Sequence, residues 1–189
     1  YYFITSSDGI NWTSPVMTPE SQNYWWSDVT FGQGLFVACG GGETDSDKKI
    51  IATSPDGINW TLRATTYSQS YAYKIAYGNN IFVAHAQNDT LTSPNAISWT
   101  VRPGVLSGLG ASDVFMYGER FFAKNSNGRC YTSVDGITWA STSGLRAIDV
   151  CYGNGIYVAV VIDGSGDGKI YTSIDCTNWS LRKTLTATY

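Results

Sequence analysis

The sequence predicts an all-β protein built from repeated four-stranded units, and three observations carry that prediction. A motif of the form Ser-x-Asp-Gly-x-x-Trp returns five times with small variations, its tryptophans Trp12, Trp60, Trp99, Trp139 and Trp179 standing 48, 39, 40 and 40 residues apart. A second motif lies between the copies: VTFGQGLFVA from Val29, IAYGNNIFVA from Ile75, FMYGERFFAK from Phe115 and VCYGNGIYVA from Val150. No segment sustains a helical period, so almost no helix is expected. Two motifs interleaved at a near-constant spacing are the signature of a repeat architecture.

Each unit divides into four short strands. In the first complete one, Val29-Thr30-Phe31 is a strand that Gly32-Gln33-Gly34 turns into Leu35-Phe36-Val37-Ala38. Glycine suits such a turn because tight hairpins demand positive φ. After a variable loop comes the third strand, Ile50 to Ser54, and Asp56-Gly57 is a hairpin dipeptide leading to the fourth. There Ile58, Trp60 and Leu62 recur at period two and are expected to share one face. Four antiparallel strands in roughly 40 residues describe the blade of a β-propeller.

Four complete blades are expected, at about 24–63, 70–102, 111–142 and 146–182, with 1–14 as the outer hairpin of a partial blade and all of 1–189 in one propeller. The tail from Lys183 to Tyr189 supplies one further strand at most. A closed ring leaves only short, protected edges and an unclosed one exposes long ones, so the chain reads as part of a longer propeller of five or more blades. A small ring with unusual closure and a piece completed by a neighbouring subunit are the alternatives. The start at Tyr1, without Met or a signal-peptide pattern, likewise reads as a processed chain or a piece of a longer one.

Composition bounds the function. Hydrophobic residues make up 43% of the 189, enough for a core, and charged residues only 14%. Twelve basic against fifteen acidic residues, a net charge of −3, leave no footprint for nucleic acid or an anionic membrane. The apolar stretches are strand-length, so no membrane insertion is expected. Cys39, Cys130, Cys151 and Cys176 form no C-x-x-C pair, and the lone His85 completes no zinc set with them. Most of these thiols are expected to be buried small hydrophobes, and no cofactor is predicted.

The Ser-x-Asp-Gly-x-x-Trp unit resembles the Asp-box, or BNR-type, repeat of sialidase-like propellers. It lacks one residue of the usual spacing between Asp and Gly. Together with the Tyr-Gly-Asn-Gly strand pair, it is more similar to propeller repeats of phage tail and bacterial surface proteins. The resemblance covers nearly the whole chain and implies the fold; such repeats serve many functions, so it implies little about activity.

The candidate chemistry is sparse. Asp8, Asp56, Asp135 and Asp175, with Asn95 in their place in one repeat, are distributed around a ring and are expected to accept backbone N–H bonds within turns. The five repeated tryptophans are expected in the blade cores. Trp25 and Trp26 fall outside the motif, and Trp26 stands where the other repeats have Ala72, Ser112 and Ala147. Tyr24, Trp25 and Trp26, with Tyr67, Tyr71 and Tyr73 in the equivalent connection of the next repeat, offer flat faces for a sugar ring or a protein partner. The alternative is that Trp26 fills a gap between blades.

Two Gly-rich acidic loops, one with Glu43, Asp45 and Asp47 and one with Asp163, Ser165 and Asp167, raise calcium. Neither completes an EF-hand, Ile174 standing where the closing Glu belongs, so solvated loops are expected and no metal is predicted. The sialidase resemblance implies an arginine cluster, a Tyr nucleophile with a Glu partner, and an Asp acid/base. Arg63, Arg102 and Arg182 instead recur at one repeat position, and the glutamates are Glu20, Glu43 and Glu119, the last expected in a hairpin turn with Arg120. No sialidase residue transfers by motif. His85 is expected to be packed, GSGDGK lacks the spacing of a phosphate loop, and three of the four glycosylation sequons (Asn11, Asn59, Asn178, but not Asn88) are the repeat motif itself.

The expected function is binding without catalysis: a glycan- or receptor-recognising module of a phage tail or bacterial surface protein, located on a virion or cell surface. The alternatives are a structural subunit packing through its blades and a sialidase-like glycoside hydrolase.

Overall fold

A computed structural model of the chain describes residues 4–13, 24–42, 51–63, 71–86 and 88–186, the side chains of Tyr24 and Ser143 excepted. It shows four antiparallel four-stranded sheets in chain order, the blades of a β-propeller. Blade 1 comprises β1 (Tyr24–Gly32), β2 (Leu35–Gly42), β3 (Ile51–Ser54) and β4 (Thr61–Arg63). Blade 2 comprises β5 (Ala72–Gly78), β6 (Ile81–Ala86), β7 (Asp89–Ser93) and β8 (Thr100–Pro103). One helical turn, α1 (Val105–Gly108), precedes blade 3, which holds β9 (Ala111–Tyr117), β10 (Arg120–Asn125), β11 (Arg129–Ser133) and β12 (Ala140–Arg146). Blade 4 holds β13 (Asp149–Gly153), β14 (Ile156–Ile162), β15 (Gly168–Ser173) and β16 (Ser180–Leu185). Arg146 pairs with Arg129 beyond a bulge and so belongs to blade 3, whereas a start of blade 4 near 146 was expected. Lys183 to Leu185 continue β16 rather than forming a separate strand.

The core lies between successive sheets. Blades 1 and 2 enclose Val37, Cys39, Ile51, Ile75, Phe82 and Leu91. Blades 2 and 3 enclose Val83, Leu106, Val114 and Phe121, and blades 3 and 4 enclose Phe122, Leu145, Val150 and Tyr157. The inner strands of blades 2 and 3 therefore present one face to the preceding blade and the other to the next, as period-two side chains require.

The inner hairpins turn as their residues dictate. Gln33-Gly34, Asn79-Asn80 and Asn154-Gly155 all have positive φ, the signature of a two-residue type I′ turn. Blade 3 differs. Of Gly118, Glu119 and Arg120 only the glycine takes positive φ (59°), so the turn moves to Gly118-Glu119 and Tyr117 pairs with Arg120. Arg120 is thus a strand residue, not part of the turn as the aligned repeats suggest.

The second turn of each blade is longer than a hairpin dipeptide. Ser54 Oγ accepts the Gly57 N–H (2.8 Å) and donates to Asp56 Oδ1 (2.9 Å); the same Oδ1 accepts the N–H groups of Ile58 (2.9 Å) and Asn59 (2.8 Å). Trp60 Nε1 closes the loop on the Gly57 carbonyl at 3.0 Å. Because this turn reaches Trp60, β4 starts at Thr61. Ile58 is then an exposed turn residue and does not share a strand face with Trp60 and Leu62.

Candidate functional site

The repeated acids do turn chemistry. Asp8, Asp135 and Asp175 accept the N–H groups two and three residues on at 2.7–2.8 Å, and Asn95 does the same at 3.0 and 2.8 Å through its amide oxygen. Those bonds hold the carboxyls of Asp8, Asp56 and Asp175 well below the usual carboxylate range. Asn11, Asn59 and Asn178 donate their side-chain amides to the same carboxylates, so these sequon asparagines are turn elements. Arg63, Arg102 and Arg182 each bond a threonine hydroxyl on the neighbouring strand.

The tryptophans vary more than the motif suggests. Trp60 is buried and Trp99, Trp139 and Trp179 are half-buried against the cores, but Trp12 is 57% exposed. It lies in the outer hairpin of the partial blade, where Thr5 pairs with Thr13, and the described residues leave that hairpin without inner strands. Its indole still bonds the Gly9 carbonyl, so the local turn forms without the core that would bury it.

The residues singled out for ligand contact separate into two roles. Trp26 is half-buried against the cluster of Ala38, Ala52 and Trp60, which makes it filling for blade 1. Trp25 is exposed. It pairs with Gly41, and Gly41 also bridges Tyr71, so the two aromatics flank one glycine where blade 1 meets blade 2. The rings of Tyr71 and Tyr73 lie 4.9 Å apart, and Tyr73 lies 5.8 Å from His85. Tyr67 and the Tyr24 side chain, like Glu20, Glu43, Asp45 and Asp47, lie outside the described residues.

From Tyr73 the surface continues into two cavities that share Ser112. One of about 390 Å³ is lined by Tyr73, His85, Ser107 and Ser112. His85 is buried, and that burial holds its imidazole below its ordinary pKa against a hydrogen bond to the Ala111 backbone and the charge of Asp113. Its Nδ1 has no partner among the described residues, the condition of a packed neutral histidine. Ser112 also lines a groove of about 810 Å³ between blades 3 and 4, with Lys124, Asn125, Asn127, Arg146 and Tyr171.

Lys124 leads from that groove into an axial cavity of about 440 Å³ that the sequence reading missed. Asp28, Lys74, Asp113 and Asp149 line it, one from the inner strand of each blade. In blades 1 to 3 a bulge immediately precedes the charged residue and re-aims it. Asp28 also ties two blades together, its Oδ2 accepting the Ile75 N–H at 3.0 Å, and Lys124 Nζ donates to the Ile148 carbonyl at 2.7 Å. A signal did exist: Asp28, Lys74 and Asp149 each stand four residues before the hairpin glycine. Asp113 stands five before Gly118 because of the shifted turn, which hid it.

The calcium candidates are engaged among themselves. Asp163 Oδ1 accepts the Ser165 N–H and hydroxyl and the Asp167 N–H, and Oδ2 lies 2.8 Å from Lys169 Nζ. The lysine is the largest cause holding the Asp163 carboxyl well below its usual range. A cation here would have to displace that ammonium. No group of three metal-ligating residues occurs among the described residues, and no helix there is long and apolar enough to cross a membrane.

No protein-family model and no curated protein matches the chain. Solved structures do. Similar ones include a GH74 enzyme of Niastella koreensis, 16% identical over 84% of this chain and 24% of that one, TM-score 0.56. Virginiamycin B lyase of Staphylococcus aureus is 14% identical over 92% of this chain and 59% of its own, TM-score 0.57. YCF48 bound to D1 peptide is 14% identical over 86% of this chain and 69% of its own, TM-score 0.53. At these identities the likeness shows the fold, a β-propeller, and the chain spans less than two thirds of the first two proteins.

Proposed function

We propose that the chain is a non-catalytic recognition propeller that takes an extended polar ligand, a glycan of a surface receptor, across the face bearing Trp25, Tyr73 and the groove between blades 3 and 4. The observation that carries this is the continuity of the face. Exposed rings lead into the cavity beside His85, which shares Ser112 with a groove offering Lys124, Asn125, Asn127 and Arg146 as hydrogen-bonding side chains and Tyr171 as an apolar one. Flat rings beside fixed polar groups suit sugars, which present apolar faces and hydroxyl edges together. The same reading assigns the chain to a virion or cell surface, in a phage tail or bacterial surface protein. Propellers of this shape include one solved with a peptide, so a peptide receptor is the neighbouring case.

The test is a glycan array followed by titration calorimetry of any hit. Trp25→Ala and Arg146→Ala should each weaken binding about tenfold, roughly 1.4 kcal/mol. Absence of any glycan hit, or hits indifferent to both substitutions, overturns the reading.

A second reading rests on the three aspartates that line the axial cavity, since glycoside hydrolysis uses a pair of carboxyl groups facing one cleft. Hydrolysis of aryl glycosides by the wild-type chain, lost in Asp113→Asn and Asp149→Asn, would favour it over recognition.

A further inference from the structure

At each junction between blades, a side chain of the earlier blade bonds the backbone at the entry to the next. Between blades 1 and 2, Ser27 Oγ, 3.9 Å from Cys39 Sγ, donates to the Ala72 carbonyl at 2.7 Å. Between blades 3 and 4, Lys124 Nζ donates to the Ile148 carbonyl. Cys39, His85 and Lys124 hold one repeat position, each paired with the charged residue on the first strand of its blade, Asp28, Lys74 or Asp113.

Between blades 2 and 3 the donor is His85. Its bond to the Ala111 backbone favours the charged ring, so the imidazole donates and the Ala111 carbonyl accepts. Nδ1 has no partner among the described residues, so the donating nitrogen is Nε2 and Nδ1 carries the lone pair. A lysine has no acceptor left over and a cysteine sulfur is a weak one, whereas the histidine has one nitrogen more than the junction uses. The residue is only 5% exposed, and a bare acceptor at that depth calls for an explanation.

His85 lines the cavity of about 390 Å³, a size within the range of small-ligand sites. Ser107 is brought there by α1, which Leu106 anchors: that side chain is buried in the core between blades 2 and 3, and its N–H bonds Thr90 Oγ1 at 3.0 Å. Ser112 comes from the start of β9. Both serine protons are committed, Ser107 Oγ donating to the Asn88 carbonyl and Ser112 Oγ to the Lys124 carbonyl at 3.1 Å. What the two oxygens have left are lone pairs. The cavity therefore offers three side-chain acceptors and no charged side chain, beside the exposed ring of Tyr73.

We propose that this cavity is a subsite for one neutral sugar unit, which stacks on Tyr73 and donates adjacent hydroxyls to His85 Nδ1 and the serine oxygens. The proposal rests on the reading of this surface as glycan-binding and names the unit it selects. Acceptors require donors, and neighbouring hydroxyls on a pyranose supply two from one ring with an apolar face. A carboxylate would meet lone pairs, and an ammonium would leave water with no countercharge lining the cavity. Tyr73 lies in the bulge between Ala72 and Lys74, outside the ladder, and its ring shifts to admit the sugar to Nδ1. His85 is then a specificity-determining residue, because a ligand lacking the hydroxyl leaves Nδ1 buried and unpaired.

His85 is the one histidine of the 189 residues, so its ring nitrogens give unambiguous signals in long-range proton–nitrogen correlation spectra. The free chain at neutral pH should show Nε2 protonated and Nδ1 bare; the opposite tautomer overturns the proposal. The probes are the methyl glycosides of glucose, galactose and mannose at millimolar concentration, their deoxy analogues, methyl glucuronide and N-acetyllysine amide. At least one neutral glycoside should move the Nδ1 signal. Its affinity should fall about tenfold when one hydroxyl of the contacting pair is removed, and likewise in Ser112→Ala. Deoxy analogues that all bind as well as their parents overturn the proposal, as does a stronger response to the glucuronide or the lysine probe. If glycosides move the Trp25 indole signal but not Nδ1, the subsite falls and the recognition reading stands. If neither signal moves, both fall.

Discussion

The glycine contacts between blades allow a matched substitution to be worked through. Gly32→Ala places a methyl inside the Tyr77 ring, and that ring has little room to retreat because it packs on Phe82 at 4.4 Å. Overpacking of this kind costs about 1–3 kcal/mol. Gly153→Ala places the same methyl at the same repeat position in open space. Both substitutions remove glycine's extra freedom in the unfolded chain, worth about 0.5–1 kcal/mol in a strand. That contribution is common to the pair, so the difference between the variants isolates the overlap at about 1–3 kcal/mol. For a chain of this size each kcal/mol moves the midpoint by about 2–4 °C, so Gly32→Ala should melt several degrees below Gly153→Ala. Calorimetry at a dilution where both variants are single chains by light scattering is the assay. Equal midpoints would refute the reasoning, because the blade contact would then not depend on the missing Cβ.

Asp135→Asn should leave stability nearly unchanged, as Asn95 already serves in its own turn, while Asp135→Ala removes the acceptor of two N–H groups and should cost about 1 kcal/mol in urea unfolding. The folded-state carboxyls of Asp56 and Asp175 titrate below their ordinary 3.8, so the unfolded chain takes up protons first. Their contribution is complete above that value and is lost as pH falls toward the folded one, and the urea midpoint should decline from about pH 4 downward. Buried His85 also titrates below its ordinary 6.5, so a separate loss should begin as pH drops below that value and be absent from His85→Leu. Of the four free thiols Cys151 is exposed and Cys39, Cys130 and Cys176 are buried; a thiol reagent should modify one at once in the native chain and the rest only on unfolding.

What was legible in the sequence was whatever a few neighbouring residues settle among themselves. The serine–aspartate turn closes with bonds reaching no further than three residues, so its appearance five times announced five copies of the same local structure. It forms in the 4–13 hairpin, which has no inner strands among the described residues, as it does in a complete blade. The Tyr-Gly-Asn-Gly turns are equally local, because positive φ is cheap only for a short list of residues. Where a single substitution changed that local cost, in Gly118-Glu119-Arg120, the register moved, and a reading by alignment placed Arg120 in the turn. Ile58 misled similarly, since period two suggested a strand where side-chain bonds to Asp56 hold a longer turn.

The sequence by itself determined the fold class, the strand order within each blade and the structural role of the repeated acids, because period-two burial and turn chemistry are properties of adjacent residues. Only the tertiary structure decided what gathers on the axis and what is left uncovered. Asp28, Lys74, Asp113 and Asp149 come from four different sheets and share a cavity only because each blade packs face to face on the one before. The same packing decided that Trp26 is filling, that Trp25 and Tyr73 stay exposed, and that Trp12 lacks the core that surrounds Trp60. Burial depends on which sheet lies opposite a side chain. In a repeat, every blade has nearly the same sequence, and the blades at the two ends have different neighbours.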